Sequence, residues 1–238
     1  MRSYFNLAQI WCLAGAVKTR PLARGLLLAL LLAAAALAGG PARAAKTTVL
    51  VAFGDSLTAG LGLKARDAFP RQLQRAIEAR GRAVTVVDAG VSGDTTTAAL
   101  ARLDWAVPRD ADAVIVELGA NDALRGQDPE QAYAALDKII TRFKGRGLAV
   151  LLAGMQAPPN MGAEYADAFN PIYARLAKKH DVALYPFFLE GVAGAPKLNQ
   201  SDGIHPTARG VERIVEGILP YVERLLDGLP ARAPGDAG

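Results

Sequence analysis

Three side chains in this sequence have the types needed for acyl transfer: a serine, a histidine and an aspartate. Ser56 follows the apolar run 49–53, in the stretch Gly54-Asp55-Ser56-Leu57-Thr58. A hydroxyl can attack a carbonyl carbon when an imidazole takes its proton and a carboxylate holds that imidazole in the correct tautomer. From residue 45 onward the histidines are His180 and His205. The sequence therefore offers few alternatives for a base.

His205 follows three residues after Asp202, and Gly203 between them permits a tight turn. In such a turn the carboxylate can reach one ring nitrogen while the other nitrogen faces a cleft. A helix-capping turn is the structural alternative. His180 lies in a run of cations at a predicted helix end, where a cap for the last carbonyls is expected instead of catalysis.

Donors for a developing oxyanion are predicted at two further strand ends. Gly93 offers a backbone N–H and Asn121 a side-chain amide, and together with the N–H of Ser56 they would form an oxyanion hole. Taken alone, Asn121 and Gly93 are better explained by turns, and Asp55 or Ser56 by a helix cap. The remaining aspartates of these loops, Asp55, Asp94 and Asp122, are expected to support turns.

The elements that must position these side chains are predicted from short apolar runs that alternate with helical patterns. This alternation indicates an α/β fold with a parallel sheet covered on both faces. The predicted strands are 48–53, 83–87, 113–118, 148–153 and 182–185. The predicted helices are 70–79, one opening after the loop 88–96, 129–144, 164–179 and 207–226, with Pro220 expected to kink or split the last.

The first 44 residues differ in character from the rest. Basic residues precede the apolar run Gly25 to Ala38, and Ala42-Arg43-Ala44 follows it, which is the order of a cleaved secretory signal peptide. We therefore expect export to a periplasm or medium, no stable membrane span after cleavage, a hydrolase domain over 46–229 and a disordered tail over 230–238.

Removal of this segment changes the charge balance of the protein. It carries five of the 27 basic residues and no acidic ones, which leaves 22 basic against 23 acidic residues and gives no indication of nucleic-acid binding. The single cysteine, Cys12, lies in the same segment. The mature chain therefore offers neither disulfides nor thiolate metal sites.

Four blocks in order resemble the SGNH (GDSL) hydrolase family: Gly54-Asp55-Ser56-Leu57, the Gly93 loop, 119–122 (GAND) and 202–206 (DGIHP). Segments 90–95, 118–126 and 185–188 are similar to the exported arylesterase and acyl-CoA thioesterase/lysophospholipase branch. The resemblance covers about residues 48–226. It implies a flavodoxin-like three-layer α/β/α sandwich with a mainly parallel five-stranded sheet.

The resemblance also implies the role of each residue. Ser56 would be the nucleophile, His205 the base and then the acid, and Asp202 its orienting carboxylate, with the oxyanion bound by Ser56, Gly93 and Asn121. No metal, cofactor or obligate protein partner is implied. The expected substrates are small acyl esters, lysolipids or acyl thioesters, and the substrate-contacting candidates in the segments after strands four and five are Pro159, Met161 and Phe188. Core packing is the alternative for Phe188.

Three other functions are compatible with parts of the pattern. An acetylesterase acting on polysaccharide would use the same serine. A metal-dependent phosphoesterase would use the aspartates at 55, 94, 122 and 202, since carboxylates suffice for magnesium. A non-catalytic binding module would retain the fold but would have no reason to keep Ser56, Asp202 and His205 together.

Overall fold

A computed structural model describes residues 47–230 of the 238-residue chain. The predicted signal peptide and nearly all of the predicted tail lie outside the described residues. The strands are β1 to β5, in chain order Thr48–Gly54, Val84–Gly90, Ala113–Glu117, Ala149–Ala153 and Ala183–Tyr185. The helices are α1 to α8, in chain order Ser56–Ala59, Phe69–Glu78, Thr96–Ala106, Ala120–Leu124, Pro129–Gly145, Ala163–Phe169, Ile172–His180 and Ala208–Asp227. Short 3-10 turns occur at Ala65–Asp67 and Pro159–Met161.

The five strands form one parallel sheet in the order β2-β1-β3-β4-β5. This is the doubly wound order, in which the chain reverses direction next to β1 and helices cover both faces. Helix α2 packs against α8, while α3 packs against α5 and α5 against α7. The predicted three-layer α/β/α class and flavodoxin-like order are confirmed.

The central strands β1 and β3 are almost entirely buried. Strand β3 has no exposed residue, and β1 is buried from Leu50 onward, because both lie between two helical layers. Strand register aligns Gly54 with Gly90 on one side and with Glu117 on the other. The loops that follow β1, β2 and β3 therefore leave the sheet at the same level.

The predicted helix 164–179 is corrected by the structure. It is two helices, α6 and α7, interrupted at Asn170 and Pro171. A proline lacks the N–H that an uninterrupted helix needs. At the break, the Asn170 side chain accepts a 2.8 Å hydrogen bond from the N–H of Ala157 in the proline-rich loop.

Pro220 does not split α8, which runs unbroken over 20 residues, so of the two expectations for this proline the split is wrong. Pro220 is exposed, and so is Glu216, whose carbonyl loses its helical partner. Water can therefore replace the missing bond, while the opposite face of the helix packs Ile218 and Val222 into the core.

Strand β2 is longer than predicted. Its aspartate and glycine favour a loop over residues 88–90, whereas in the structure these residues continue the pairing with β1 as far as Gly90. Within residues 47–230, no helix is long and apolar enough to cross a membrane.

Candidate active site

Ser56 is placed by an abrupt end of β1 and a one-turn helix. Strand β1 ends at Gly54, and the Asp55 side chain accepts a 2.9 Å hydrogen bond from the N–H of Leu57, which caps α1. Gly60 ends this helix in a left-handed conformation, with φ of 74°. Ser56 is the first residue of α1, so its own N–H has no partner within the helix.

Gly54 itself cannot be replaced by a larger residue without movement. A Cβ atom at this position would lie 2.1 Å from Thr58 Oγ1 and 2.6 Å from the carbonyl oxygen of Glu117. The second of these is backbone of β3. The glycine before the Asp-Ser pair is therefore required by the close approach of the neighbouring strand.

His205 and Asp202 lie opposite Ser56, on the loop before α8. The Ser56 Oγ atom is 2.9 Å from His205 Nε2, and His205 Nδ1 is 2.7 Å from Asp202 Oδ2. The predicted serine, histidine and aspartate are therefore brought together, although 149 residues separate Ser56 from His205.

The carboxylate of Asp202 is held by a compact turn. Its Oδ1 atom accepts hydrogen bonds from the N–H groups of Ile204, at 2.9 Å, and His205, at 3.0 Å. Gly203, with φ of 72°, allows the turn. The backbone bond from His205, its ring and the backbone bond from Ile204 lower the pKa of Asp202 to about 2.

These contacts fix the tautomer of His205. An ionised carboxylate only accepts hydrogen bonds, so the Nδ1 atom facing Asp202 must carry a proton. In the neutral ring, Nε2 is then an acceptor for the Ser56 hydroxyl. The arrangement can remove a proton from Ser56 and stabilise the imidazolium that results.

Asn121 lies on α4, which begins shortly after β3 ends. Its Nδ2 atom donates to Asp55 Oδ2 at 3.1 Å, so the residue that caps α1 also orients this amide. An amide nitrogen carries two hydrogens, and one remains for a further acceptor. Burial raises the pKa of Asp55 to about 6, against the opposing hydrogen bonds from Leu57 and Asn121.

Gly93 lies three residues beyond the end of β2, with φ of 87°. The loop around it is connected to β1 by Arg102, a buried cation. Arg102 Nε bonds Asp94 Oδ2 at 2.6 Å, and its Nη2 donates to the carbonyl oxygen of Gly54 at 2.9 Å. The guanidinium also lies 4.4 Å from the ring centre of Phe53. Arg102 thus couples the strand that carries the serine turn to the Gly93 loop.

The aspartates of these loops have structural partners, as expected. Asp122 accepts from the N–H and the hydroxyl of Thr96 at the start of α3, at 2.9 and 2.7 Å. Asp55 and Asp94 have the partners described above. Across residues 47–230, no group of three or more His, Cys, Asp or Glu is placed to hold a metal ion.

His180 lies away from this edge of the sheet, at the end of α7. Its Nε2 atom is 2.6 Å from Asp137 Oδ1, which also accepts from Lys179 Nζ at 2.8 Å. Its position at a helix end is the one expected from the sequence.

The three candidates for substrate contact differ in their surroundings. Pro159 and Met161 lie on the 3-10 turn after β4, and Met161 approaches Gly126, where a Cβ atom would be 3.1 Å from Met161 Cε. Phe188 is fully buried and packs edge-on against Phe69, with ring centres 5.0 Å apart. In this structure Phe188 is therefore part of the core.

Glu117 and Arg102 have no role in the sequence-based prediction of the site. Glu117 is completely buried at the end of β3, and its Oε2 atom accepts from Thr58 Oγ1 at 2.8 Å. Its Oε1 atom has no hydrogen-bond partner among the described residues. Burial raises the pKa of Glu117 well above its usual range, and the charge of Asp55 raises it further. A single glutamate inside the apolar run 113–118 was the available signal.

A sequence profile of the GDSL-like Lipase/Acylhydrolase family matches residues 52–213. This span contains Ser56, Gly93, Asn121, Asp202 and His205. The chain belongs to this family.

Curated relatives agree with this assignment. Esterase TesA of Pseudomonas aeruginosa is 40% identical over 185 residues, covering 77% of this chain and 92% of TesA. Thioesterase 1/protease 1/lysophospholipase L1 of Escherichia coli K12 is 41% identical over 186 residues, covering 78% and 88%. The crystal structure of AlinE4, an SGNH-hydrolase family esterase, superposes with a TM-score of 0.64 at 45% identity, covering 76% of this chain and 97% of AlinE4. The chain is thus a serine hydrolase of carboxylic esters, and the acetylesterase, phosphoesterase and binding-module alternatives are not favoured.

Proposed function

We propose that Ser56, His205 and Asp202 are the catalytic triad of this esterase. The observation that carries the proposal is the unbroken hydrogen-bonded series from Ser56 Oγ to His205 Nε2 and from His205 Nδ1 to Asp202, at 2.9 and 2.7 Å. His205 takes the proton of Ser56 as Oγ attacks the ester carbonyl carbon. The imidazolium then protonates the departing alcohol or thiol, which leaves an acyl-serine.

In the second half of the reaction, water replaces the leaving group. His205 removes a proton from the water as its oxygen attacks the acyl-serine, and it returns that proton to Ser56 when the carboxylic acid departs. The N–H groups of Ser56 and Gly93 and the free hydrogen on Asn121 Nδ2 stabilise the oxyanion in both halves. Support for Asn121 comes from its bond to Asp55, the residue next to the nucleophile.

The substrates proposed are carboxylic esters and thioesters with an acyl chain, including aryl esters and lysophospholipids. Two relatives carry esterase, thioesterase and lysophospholipase in their names. For an exported enzyme, which the first 44 residues predict, esters and lysolipids are the more accessible class. Pro159 and Met161 are the proposed contacts for the acyl chain, whereas Phe188 packs in the core against Phe69 and is not proposed to touch the substrate.

The assignment is tested by replacing Ser56 with alanine. We expect Ser56→Ala to lower kcat on nitrophenyl esters at least about 10³-fold, because the nucleophile is lost, with little change in the unfolding midpoint. Labelling by a fluorophosphonate should disappear as well, and EDTA should not affect the wild type. Equal hydrolysis by wild type and variant would refute the proposal.

A nitrophenyl ester series of increasing acyl length tests the rim formed by Pro159 and Met161. Met161→Ala is expected to shift the preferred chain length, because its side chain lies beside the loop that follows Asn121. Leu225→Ala is the control, since it truncates a half-buried apolar side chain near the far end of α8. An unchanged length preference in Met161→Ala would exclude Met161 from the acyl site.

A further inference from the structure

Arg125 stands at the entrance of the proposed oxyanion site. It follows α4 directly, four residues after Asn121, and its Nη2 atom donates to the carbonyl oxygen of Gly93 at 2.9 Å. A Cβ atom built on Gly93 would lie 3.8 Å from the same Nη2 atom. The guanidinium therefore packs against the residue whose N–H is proposed to bind the oxyanion.

The contact that the Arg125 guanidinium makes with Gly93 is to a backbone carbonyl oxygen, which carries no formal charge. None of the ion pairs formed within residues 47–230 includes Arg125. The acidic side chains of the adjoining loops have other partners: Asp94 bonds Arg102, Asp122 bonds Thr96, and Asp128 accepts from the N–H of Glu130. A guanidinium has five N–H donors, so donors remain for a ligand after the bond to Gly93.

Exposed apolar side chains occur directly before Arg125 in the sequence and on two other loops that carry residues of the site. Leu124 is 44% exposed, Val91 40% and Ile204, next to His205, 42%. Among residues 47–230, the other exposed large apolar side chains are Leu61 and Trp105. An exposed cation flanked by exposed apolar side chains suits an amphiphile that carries both an acyl chain and an anion.

We infer that Arg125 is a specificity-determining residue that recognises the phosphate of a lysophospholipid, on the alcohol side of the scissile ester, so that acyl glycerol phosphates are hydrolysed in preference to neutral acyl glycerols. This inference rests on the proposed function. The N and O atoms of one residue lie within about 3.6 Å, which places Arg125 Nη2 within about 6.5 Å of the Gly93 nitrogen. Three carbons separate the ester oxygen from the phosphate oxygen in an acyl glycerol phosphate, a span of similar size.

The geometry of the ligand supports this class over acyl thioesters of coenzyme A. Arginine binds phosphate through two parallel N–H bonds, with both charge and shape in its favour. The phosphates of coenzyme A are separated from the thioester by the much longer pantetheine arm. The phosphates of coenzyme A would therefore lie well beyond Arg125, which contacts Gly93.

Monohexanoylglycerol and monohexanoylglycerol phosphate provide the test, because they share the ester, the acyl chain and the alcohol and differ only in the phosphate. The measurement is the ratio of kcat/KM for the phosphate to kcat/KM for the neutral ester. In Arg125→Gln this ratio should fall about tenfold or more, the size of a lost charge-assisted hydrogen bond. Arg125→Lys should keep an intermediate ratio, because charge remains but the two-pronged geometry is lost.

Arg109→Gln is the matched control, since it removes the same charge from an exposed arginine that precedes β3 at the other edge of the sheet. Its ratio should equal that of the wild type. An unchanged ratio in Arg125→Gln, even with both substrates slowed together, would overturn the inference and leave Arg125 as a support of the Gly93 loop. Wild-type hydrolysis of nitrophenyl esters but of neither glyceride would overturn it too, while the proposed function would stand. Hydrolysis of no ester at all would refute the proposed function itself.

Discussion

The hydroxyl of Thr58 donates a 2.8 Å hydrogen bond to Glu117 Oε2, and both side chains are completely buried beside the turn that carries Ser56. Burial raises the pKa of Glu117 well above its usual range, so a neutral carboxyl is favoured there. Replacing Glu117 with glutamine, an amide of the same shape, should therefore be tolerated. Replacing it with alanine should open a cavity and leave the Thr58 hydroxyl without its acceptor.

Near pH 5, the free energy of unfolding of Glu117→Gln is accordingly expected to lie within about 1 kcal/mol of the wild-type value. That of Glu117→Ala is expected to be lower by about 2–4 kcal/mol. Urea denaturation measures both. A loss in Glu117→Gln as large as that in Glu117→Ala would show that an ionised carboxylate is required at this position.

The raised pKa of Glu117 also predicts a pH dependence of stability. Above the usual pKa of 4.5, the unfolded chain releases the proton of Glu117 while the folded protein retains it. The contribution of Glu117 to the free energy of unfolding therefore falls as pH rises, by up to about 1.4 kcal/mol per pH unit, until the pH reaches the pKa of Glu117 in the folded protein. The stability of Glu117→Gln relative to wild type should increase between pH 5 and pH 8. A constant difference over this range would contradict the assignment.

Asp202 is predicted to act through the tautomer and charge of His205. Asp202→Asn can accept at only one oxygen and carries no charge, so we expect kcat to fall about 10³- to 10⁴-fold with a small change in KM. Because the pKa of Asp202 is lowered to about 2, this carboxylate stays ionised through pH 4–9. The acid limb of the wild-type pH–rate profile should therefore not reflect Asp202. A variant with near-normal kcat would exclude the proposed role.

Arg102 is expected to be required for stability. Replacing it with methionine leaves the carboxylate of Asp94 and the carbonyl of Gly54 without their partner in a nearly dry site. The expected loss is about 3–5 kcal/mol in the free energy of unfolding, measured with urea. Arg213→Met, which breaks an exposed pair with Glu216, should change it by less than about 1 kcal/mol. Similar small effects for both variants would disprove this role of Arg102.

Gly54 and Gly145 form a contrasting pair. Gly54→Ala should lower both stability and kcat, because its Cβ meets the Glu117 backbone and would shift the turn that holds Ser56. Gly145 is the last residue of α5, and a Cβ atom there would have no neighbour within 4 Å, so Gly145→Ala should stabilise the protein by about 0.4–1 kcal/mol. Thermal unfolding and nitrophenyl ester kinetics check both variants. Equal effects of the two substitutions would show that the backbone of β3 does not restrict the size of the residue at position 54.

The candidate site was in large part predictable because its residues follow strand ends. Polar residues directly after apolar runs indicate the carboxyl edge of a parallel sheet, and this position made Ser56, Gly93 and Asn121 candidates. Their roles followed from the family resemblance of the four blocks taken together. The contact between Asp202 and His205 was also accessible, since the two are three residues apart around a glycine. These are local relationships, and local spacing is what a sequence displays.

The sequence alone determined the α/β class, the order of the blocks and the types of the candidate catalytic residues. Only the tertiary structure decided which groups meet: Ser56 with His205 across 149 residues, Arg102 with Gly54, and Glu117 with Thr58. It also decided that Pro171 interrupts a helix while Pro220 does not, and that Phe188 packs in the core. The physical reason is that burial and long-range partners depend on sheet register and helix packing, which are properties of the whole chain.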